Sequence, residues 1–211
     1  MSKLADNWNC RYLSKEYVYG KLPNNYLKEQ LNKLSPGKIL FPGEGEGRNA
    51  IHAARMGWEV SAYDISAVGK MKAEKLAVKH NVNIDYKVGE IHNLIYPKEH
   101  FDVVALIYLH LAKNERKVLS DSIYNLLRPG GIVIAELFSE KHIEYQKKNS
   151  SVGGPRDISL LFSIQDIQND FIKYNILELK EEEIELSEGA YHSGTASVIR
   201  FVGQKPVKTS F

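Results

Sequence analysis

The chain has 211 residues, enough for one domain that buries about 70% of its extended surface. A formal charge of +2, with no basic arm or Lys/Arg cluster, gives no argument for nucleic acid, and the one cysteine, Cys10, excludes an internal disulfide framework and fits a reducing compartment. No apolar run approaches ~20 residues and the first residues lack a basic-then-apolar leader pattern, so a cytoplasmic protein without a membrane partner is expected.

Residues 1–20 are aromatic-rich, with Trp8, Tyr12, Tyr17 and Tyr19 ahead of Gly20. Trp8 and Tyr12 lie four apart and share a face on a helix. Tyrosines offer flat apolar faces with one polar tip, which suits either a docked helix or a lid over a ligand. Pro23-Asn24-Asn25 reads as a turn or a helix start, the helix that follows has Tyr26, Leu27, Gln30, Leu31 and Leu34 at helical spacing, and Ser35-Pro36-Gly37 breaks it. Residues 1–35 thus read as a helical lid or cap on a core of residues 36–211.

An apolar run through Ile39-Leu40-Phe41 ends in three glycines at alternate positions, Gly43, Gly45 and Gly47. A helix from about 48 to 56 opens behind them and Gly57 ends it. A second apolar run, 58–63, ends in Asp64, and Ser66 caps a helix over 67–80. Residues 82–88 alternate as a strand, followed by Gly89-Glu90-Ile91 and an irregular stretch to Pro97. The most apolar segment, 101–109, reads as a central parallel strand buried on both faces. A helix over 114–127, closed by Arg128-Pro129-Gly130-Gly131, leads to a buried strand over 132–137. The alternation then stops: 139–160 is polar and glycine-bearing, and 163–171 is a short helix. Strands over 172–186 and 196–202 have little room for a crossover and should pair antiparallel. The expected fold is α/β, a doubly wound, mostly parallel seven-stranded sheet that ends in an antiparallel hairpin, as a single domain.

Glycines let backbone N–H groups approach a ligand closely, and the first turn of the following helix adds unpaired donors. An acid at the end of the second strand is where a ribose diol is held, so the unit reads as a nucleoside-binding βαβ half. A dinucleotide fingerprint is G-x-G-x-x-G; here the third glycine comes one residue early. Asp64, Glu90 and Tyr108 would all stand on the carboxyl edge of the sheet, beside the glycine loop.

Gly43-x-Gly45-x-Gly47-Arg48-Asn49-Ala50, Asp64-Ile65-Ser66, Phe101-Asp102-Val103 and Leu127-Arg128-Pro129-Gly130-Gly131 resemble the motifs of class I S-adenosylmethionine-dependent methyltransferases. The Trp8…Tyr12…Tyr19-Gly20…Pro23-Asn24 head, the Gly-Gly-Pro segment and Glu-Gly-x-x-His-x-Gly are similar to the branch that includes the tellurite-resistance and thiopurine methyltransferases. The resemblance implies S-adenosylmethionine as cofactor. It places Gly43, Gly45 and Gly47 under the methionine part, Asp64 on the ribose hydroxyls and Ile65 on the adenine. Glu90 and the Ile91 backbone would meet the adenine amino edge, with Ile107 and Tyr108 beneath the sulfonium. The chain departs from the family at Phe41, where an acid is usual; Glu44 is the candidate to supply a carboxylate instead.

Tyr12, Tyr17, Tyr19, His110, Arg156 and His192 are the candidates for an acceptor pocket, Arg156 as a steering charge for an anion. Seven histidines show no metal-ligand spacing, so no metal is expected. The chain lacks the Asn/Asp-Pro-Pro-aromatic motif of nucleobase amino methylation after the fourth strand. The run Lys180-Glu181-Glu182-Glu183 reads as a solvated strand end. With no Asp–His or Lys-based pair evident at the methyl position, a soft nucleophile, a thiol or other chalcogen on a small molecule, is the expected acceptor. Two alternatives share the fold: a non-enzymatic cofactor-binding or regulatory protein, and a nicotinamide-dependent oxidoreductase. Either a monomer or a homodimer fits.

Overall fold

In the computed structural model, which describes residues 3–90 and 95–207, the first strand sets the layering. Side chains alternate across a strand. On β1 (Lys38–Pro42), Ile39 and Phe41 therefore enter one core cluster and Leu40 the other. The first cluster takes in Leu27 and Leu31 of α2 (Asn25–Leu31) with Ala50 and Ala53 of α3 (Arg48–Arg55). The second takes in Leu119 and Ile123 of α5 (Lys113–Leu126) with Ile167 of α7 (Ile164–Asp170). Helices thus cover both faces, and each fully buried Leu, Ile or Phe contributes about 1.5–3 kcal/mol.

Between these lie β2 (Glu59–Asp64), α4 (Ala67–Lys79), β3 (Asp85–Val88) and β4 (Phe101–Ile107). After α5 come β5 (Leu127–Phe138), α6 (His142–Lys148), β6 (Asn175–Ser187) and β7 (Ser193–Gln204); α1 (Lys3–Tyr12) precedes them all. The seven strands run in the order β3-β2-β1-β4-β5-β7-β6. The first five pair in parallel, and β7 is antiparallel to both β5 and β6. The sequence expectation of a mostly parallel seven-stranded sheet ending in an antiparallel hairpin holds. The chain direction switches between β1 and β4, the place where sheets of this kind take ligands.

Ser66 caps α4 as anticipated, accepting from the Gly69 N–H at 3.0 Å, and Asn24 caps α2, accepting from the Leu27 N–H at 2.9 Å. Three boundaries move. β5 begins at Leu127, because Phe101 pairs with Leu127 across a register shift before Val103 meets Ile132. The polar stretch 139–160 holds α6 and two short 3-10 turns, tied down by the Gln146 amide on the Gly153 and Pro155 carbonyls. β7 reaches to Gln204 because it lies between two strands that it pairs with along its length. Among the described residues, no helix is long and apolar enough to cross a membrane.

Candidate active site

The glycine loop is packed from above and below. Gly45 and Gly47 both hold positive φ, +66° and +93°. A Cβ on Gly45 would stand 2.6 Å from the Tyr12 hydroxyl, and one on Gly47 would stand 2.6 Å from the Ala73 Cβ. Those two positions need glycine for conformation and for close approach alike. Of the three glycines expected under the methionine part, Gly43 lines the cavity, whereas Gly45 lies beneath Tyr12 and Gly47 against α4.

Asp64 ends β2 with one carboxylate oxygen on the Gly45 N–H (2.9 Å) and the other on the Ser66 N–H (2.8 Å). Burial raises its carboxyl to about 6 against the pull of those donors. Glu44 turns back onto α3: its Oε1 accepts from the Asn49 N–H (2.9 Å) and the Ala50 N–H (2.7 Å). It therefore serves as the side-chain cap that Gly47 cannot supply. Burial pushes Glu44 up to about 8. Phe41 packs into the core with Ile39, so the acid usual at its position has no counterpart here.

These groups open onto a cavity of about 430 Å³ at the carboxyl edge of the sheet. Asp64, Ile65, Glu90, Ile107 and Tyr108 line it, as do Tyr12, Tyr19, His110 and His192. Tyr17 and Arg156, the other two acceptor-pocket candidates, are not among its lining residues. The Tyr17 hydroxyl is spent on the Lys72 carbonyl at 2.9 Å, and Arg156 is exposed on the loop after α6. Ile91 lies outside the described residues.

Above the cavity the head of the chain is tied to α4. Lys72 donates to the carbonyls of Tyr12, Ser14 and Glu16 and pairs with Glu46, which in turn accepts from the Val18 N–H at 2.7 Å. Trp8 stacks on Tyr12 at 5.5 Å, as their spacing predicts.

The far wall is a polar network that the sequence did not announce. Glu188, in the turn between β6 and β7, accepts from Arg48 (2.9 Å) and Asn24 (3.2 Å), and takes the Nδ1–H of His192 at 3.1 Å. Asn24 also reaches Glu136 on β5 (2.6 Å), which accepts from the Tyr108 hydroxyl (2.7 Å) and Arg200 Nε (2.6 Å). Burial would raise the Glu188 carboxyl, but the hydrogen bond from His192 and the Arg48 charge outweigh it and hold it at about 2. The sequence shows no Asp–His or Lys-based pair; the structure holds a glutamate–histidine pair, Glu188 with His192, at the cavity wall. The local trace was the Glu-Gly-x-x-His-x-Gly segment, which sets Glu188 and His192 at i, i+4, and the hairpin turn brings the two together.

Tyr108 occupies the left-handed region at φ +53°, uncommon for a bulky side chain. Its backbone N–H on the Glu136 carbonyl (2.8 Å), its hydroxyl and its stack on Phe138 (4.7 Å) hold it there. The turn carries His110 to the cavity wall, where Nδ1 sits 2.9 Å from the Leu160 carbonyl. A carbonyl only accepts, so Nδ1 carries the proton. Burial lowers His110 to about 4, and burial likewise lowers His192 against the pull of Glu188, so both rings favour the neutral form.

Residues 39–131 match a family model described as a methyltransferase domain. The fold is that of solved SAM-dependent methyltransferases, and S-adenosylmethionine is the cofactor that the matched model and this likeness imply. Among solved structures, one on the conversion of a disulfide bond into a thioacetal group during echinomycin biosynthesis is 17% identical, with a TM-score of 0.81 over 98% of this chain and 93% of that one. A SAM-dependent methyltransferase from Methanosarcina mazei is 17% identical, at 0.70 over 85% and 98%. TehB from Haemophilus influenzae is 17% identical, at 0.68 over 95% of this chain and 66% of that one. No curated protein matches in sequence.

The side chains present fit that cofactor. A buried carboxylate at the end of β2 keeps lone pairs free for hydroxyls, and Arg48 Nη1, on a residue that lines the cavity, is buried without a partner and suits a carboxylate tail.

Proposed function

We propose that the protein transfers the methyl group of S-adenosylmethionine to a small molecule through a thiol or other chalcogen. The observation that carries this reading is the single cavity that joins Gly43, Asp64 and Glu90 to an aromatic wall of Tyr12, Tyr19, Tyr108 and Phe138. Asp64 holds the ribose hydroxyls, Ile65 packs on the adenine and Glu90 meets its amino edge. Gly43, Glu44 and Arg48 face the methionine part. The cofactor supplies a methyl already activated on a cationic sulfur, and aromatic faces suit that charge.

The chain's own work is then alignment and exclusion of water. Residues 1–35 act as the lid, with Tyr12 and Tyr19 closing over the acceptor and His110 fixing its polar end. Sulfur as the nucleophile is supported by the likeness at TM-score 0.81 to a structure concerned with a disulfide and a thioacetal. It is also supported by the aromatic faces of Tyr12, Tyr19 and Phe138 on the cavity wall, which favour a poorly hydrated nucleophile over a hydroxyl or an amine.

Calorimetry with S-adenosylhomocysteine, followed by transfer of labelled methyl to thiophenol, 2-mercaptoethanol, phenol and aniline, tests the reading. Binding with turnover of the thiols is the expected result. Methylation of phenol or aniline alone would refute the sulfur assignment, and no affinity for S-adenosylhomocysteine would refute the whole reading.

A further inference from the structure

We infer that His192 is the proton acceptor of the reaction, oriented by Glu188, so that the site handles thiols that are not already ionised. This rests on the methyl-transfer reading above and adds to it a catalytic role for a residue that alignment alone does not require.

The geometry is that of a carboxylate-held imidazole. Nδ1 donates to Glu188 Oε2, which leaves Nε2 as the nitrogen available to the cavity that the ring lines. The ring cannot swing away. It lies against Tyr19 (4.5 Å between centroids), Tyr108 (4.7 Å) and Phe138 (5.4 Å), three side chains from three separate segments. Glu188 is fixed in turn by Arg48 and Asn24, so the carboxylate has no freedom to leave Nδ1. Charged and titratable groups reach His192 from every side: Glu188 from its own turn, Arg48 from α3, Glu136 from β5, Tyr19 from the head, Tyr108 after β4, and His110 and His142 beyond Phe138. Glu188 and Glu136 favour the protonated ring; Arg48 opposes it.

The balance is simple. A sulfur lone pair of the acceptor forms the bond to the methyl carbon. The S–H proton goes to His192 Nε2, and the electrons of the broken carbon–sulfur bond remain on the cofactor's sulfur, which leaves neutral. The positive charge passes from that sulfur to an imidazolium beside Glu188, and the proton then leaves to water. A thiol near pKa 8.5 is mostly protonated at neutral pH, so a base within reach matters for it and matters far less for an acidic thiol.

Two measurements decide the matter. The ¹⁵N spectrum of the histidines in the intact protein should show His192 with Nδ1 protonated and Nε2 bare. An Nε2–H tautomer would overturn the inference whatever the acceptor proves to be. In His192→Gln, calorimetry with S-adenosylhomocysteine should stay within about threefold of wild type, which shows an intact site. At pH 7, kcat/KM for 2-mercaptoethanol should then fall about 100-fold or more and recover as pH rises toward the thiol's own ionisation, while thiophenol loses several-fold at most. Equal losses on both thiols with one shared pH profile would sink the base role and leave methyl transfer standing. If wild type methylates no thiol, the sulfur reading falls, and the tautomer still decides the orientation that the inference requires.

Discussion

Asp64 carries two opposing influences, burial that raises its carboxyl to about 6 and the N–H groups of Ser66 and Gly45 that favour its anion. In the proposed role ribose hydroxyls would donate to the anion, so cofactor binding should release a proton near that pH. The affinity for S-adenosylhomocysteine is expected to fall as pH drops below about 6. Asp64→Asn should remove that limb and cost about 1.5–3 kcal/mol at neutral pH. Calorimetry across pH that gives a flat wild-type profile would contradict this. Gly47 offers a second test at the same scale. With φ +93° and the Ala73 Cβ 2.6 Å from any added methyl, Gly47→Ala should lose more than about 2 kcal/mol in urea unfolding. A loss below about 0.5 kcal/mol would show that α4 yields easily.

The head of the chain and the hairpin turn are the elements that close the site. Residues 12–18 hang from Lys72 and Glu46, a partly exposed lysine on a buried carboxylate, so removing the lysine strands the glutamate. Replacing both, Lys72→Met with Glu46→Gln, should speed amide exchange over 13–18 by about tenfold or more and raise KM, while amides of β1 and β4 keep their protection. Uniform loss of protection would mean that the head is a structural part of the core. At this scale the sequence was informative wherever local rules govern. Strand alternation, the glycine loop, Ser66 as a cap and the Trp8–Tyr12 pair were all legible. Glu136 was not, nor was its link to Asn24 and Glu188, although the last two stand in quoted motifs, because a glutamate in a strand, an asparagine after a proline and a glutamate in a turn do not announce that they bond one another. Only the placement of β7 between β5 and β6 brings them together. Phe41 shows the limit from the other side: the departure was visible, but that it points into the core with Ile39 follows from packing.

For the whole molecule, buried carboxyls make stability depend on pH in both directions. Glu188, lowered from 4.5 to about 2, contributes stability that is present above pH 4.5 and lost as pH falls through 2. Glu44, raised from 4.5 to about 8, contributes in the opposite sense: full below pH 4.5, lost as pH rises through 8. The cofactor-free protein should therefore unfold at lower temperature at pH 8.5 than at pH 5.5, by about 2–4 °C for each ~1 kcal/mol lost. Glu44→Gln should flatten that slope, and thermal unfolding at the two pH values decides it. A saturating ligand at 100 times its Kd adds about 2.7 kcal/mol, enough to mask the effect, so the measurement belongs to the unliganded protein.

The position of β7 also dictates an order of events in time. Its partners are fixed by residues 127–138 on one side and 175–187 on the other, and the turn that leads into it carries Glu188 and His192. Such pairings, spanning up to 72 residues from Ile132 to Gln204, form late because a long loop must close before any contact rewards it. The βαβ half around the glycine loop depends on neighbours close in sequence and can be in place while the last strand is still outside the sheet. Until β7 slides in, Arg48 lacks the Glu188 carboxylate and the cavity lacks a wall. Refolding followed by cofactor fluorescence quenching should thus precede recovery of turnover, with the interval set by the insertion of a single strand.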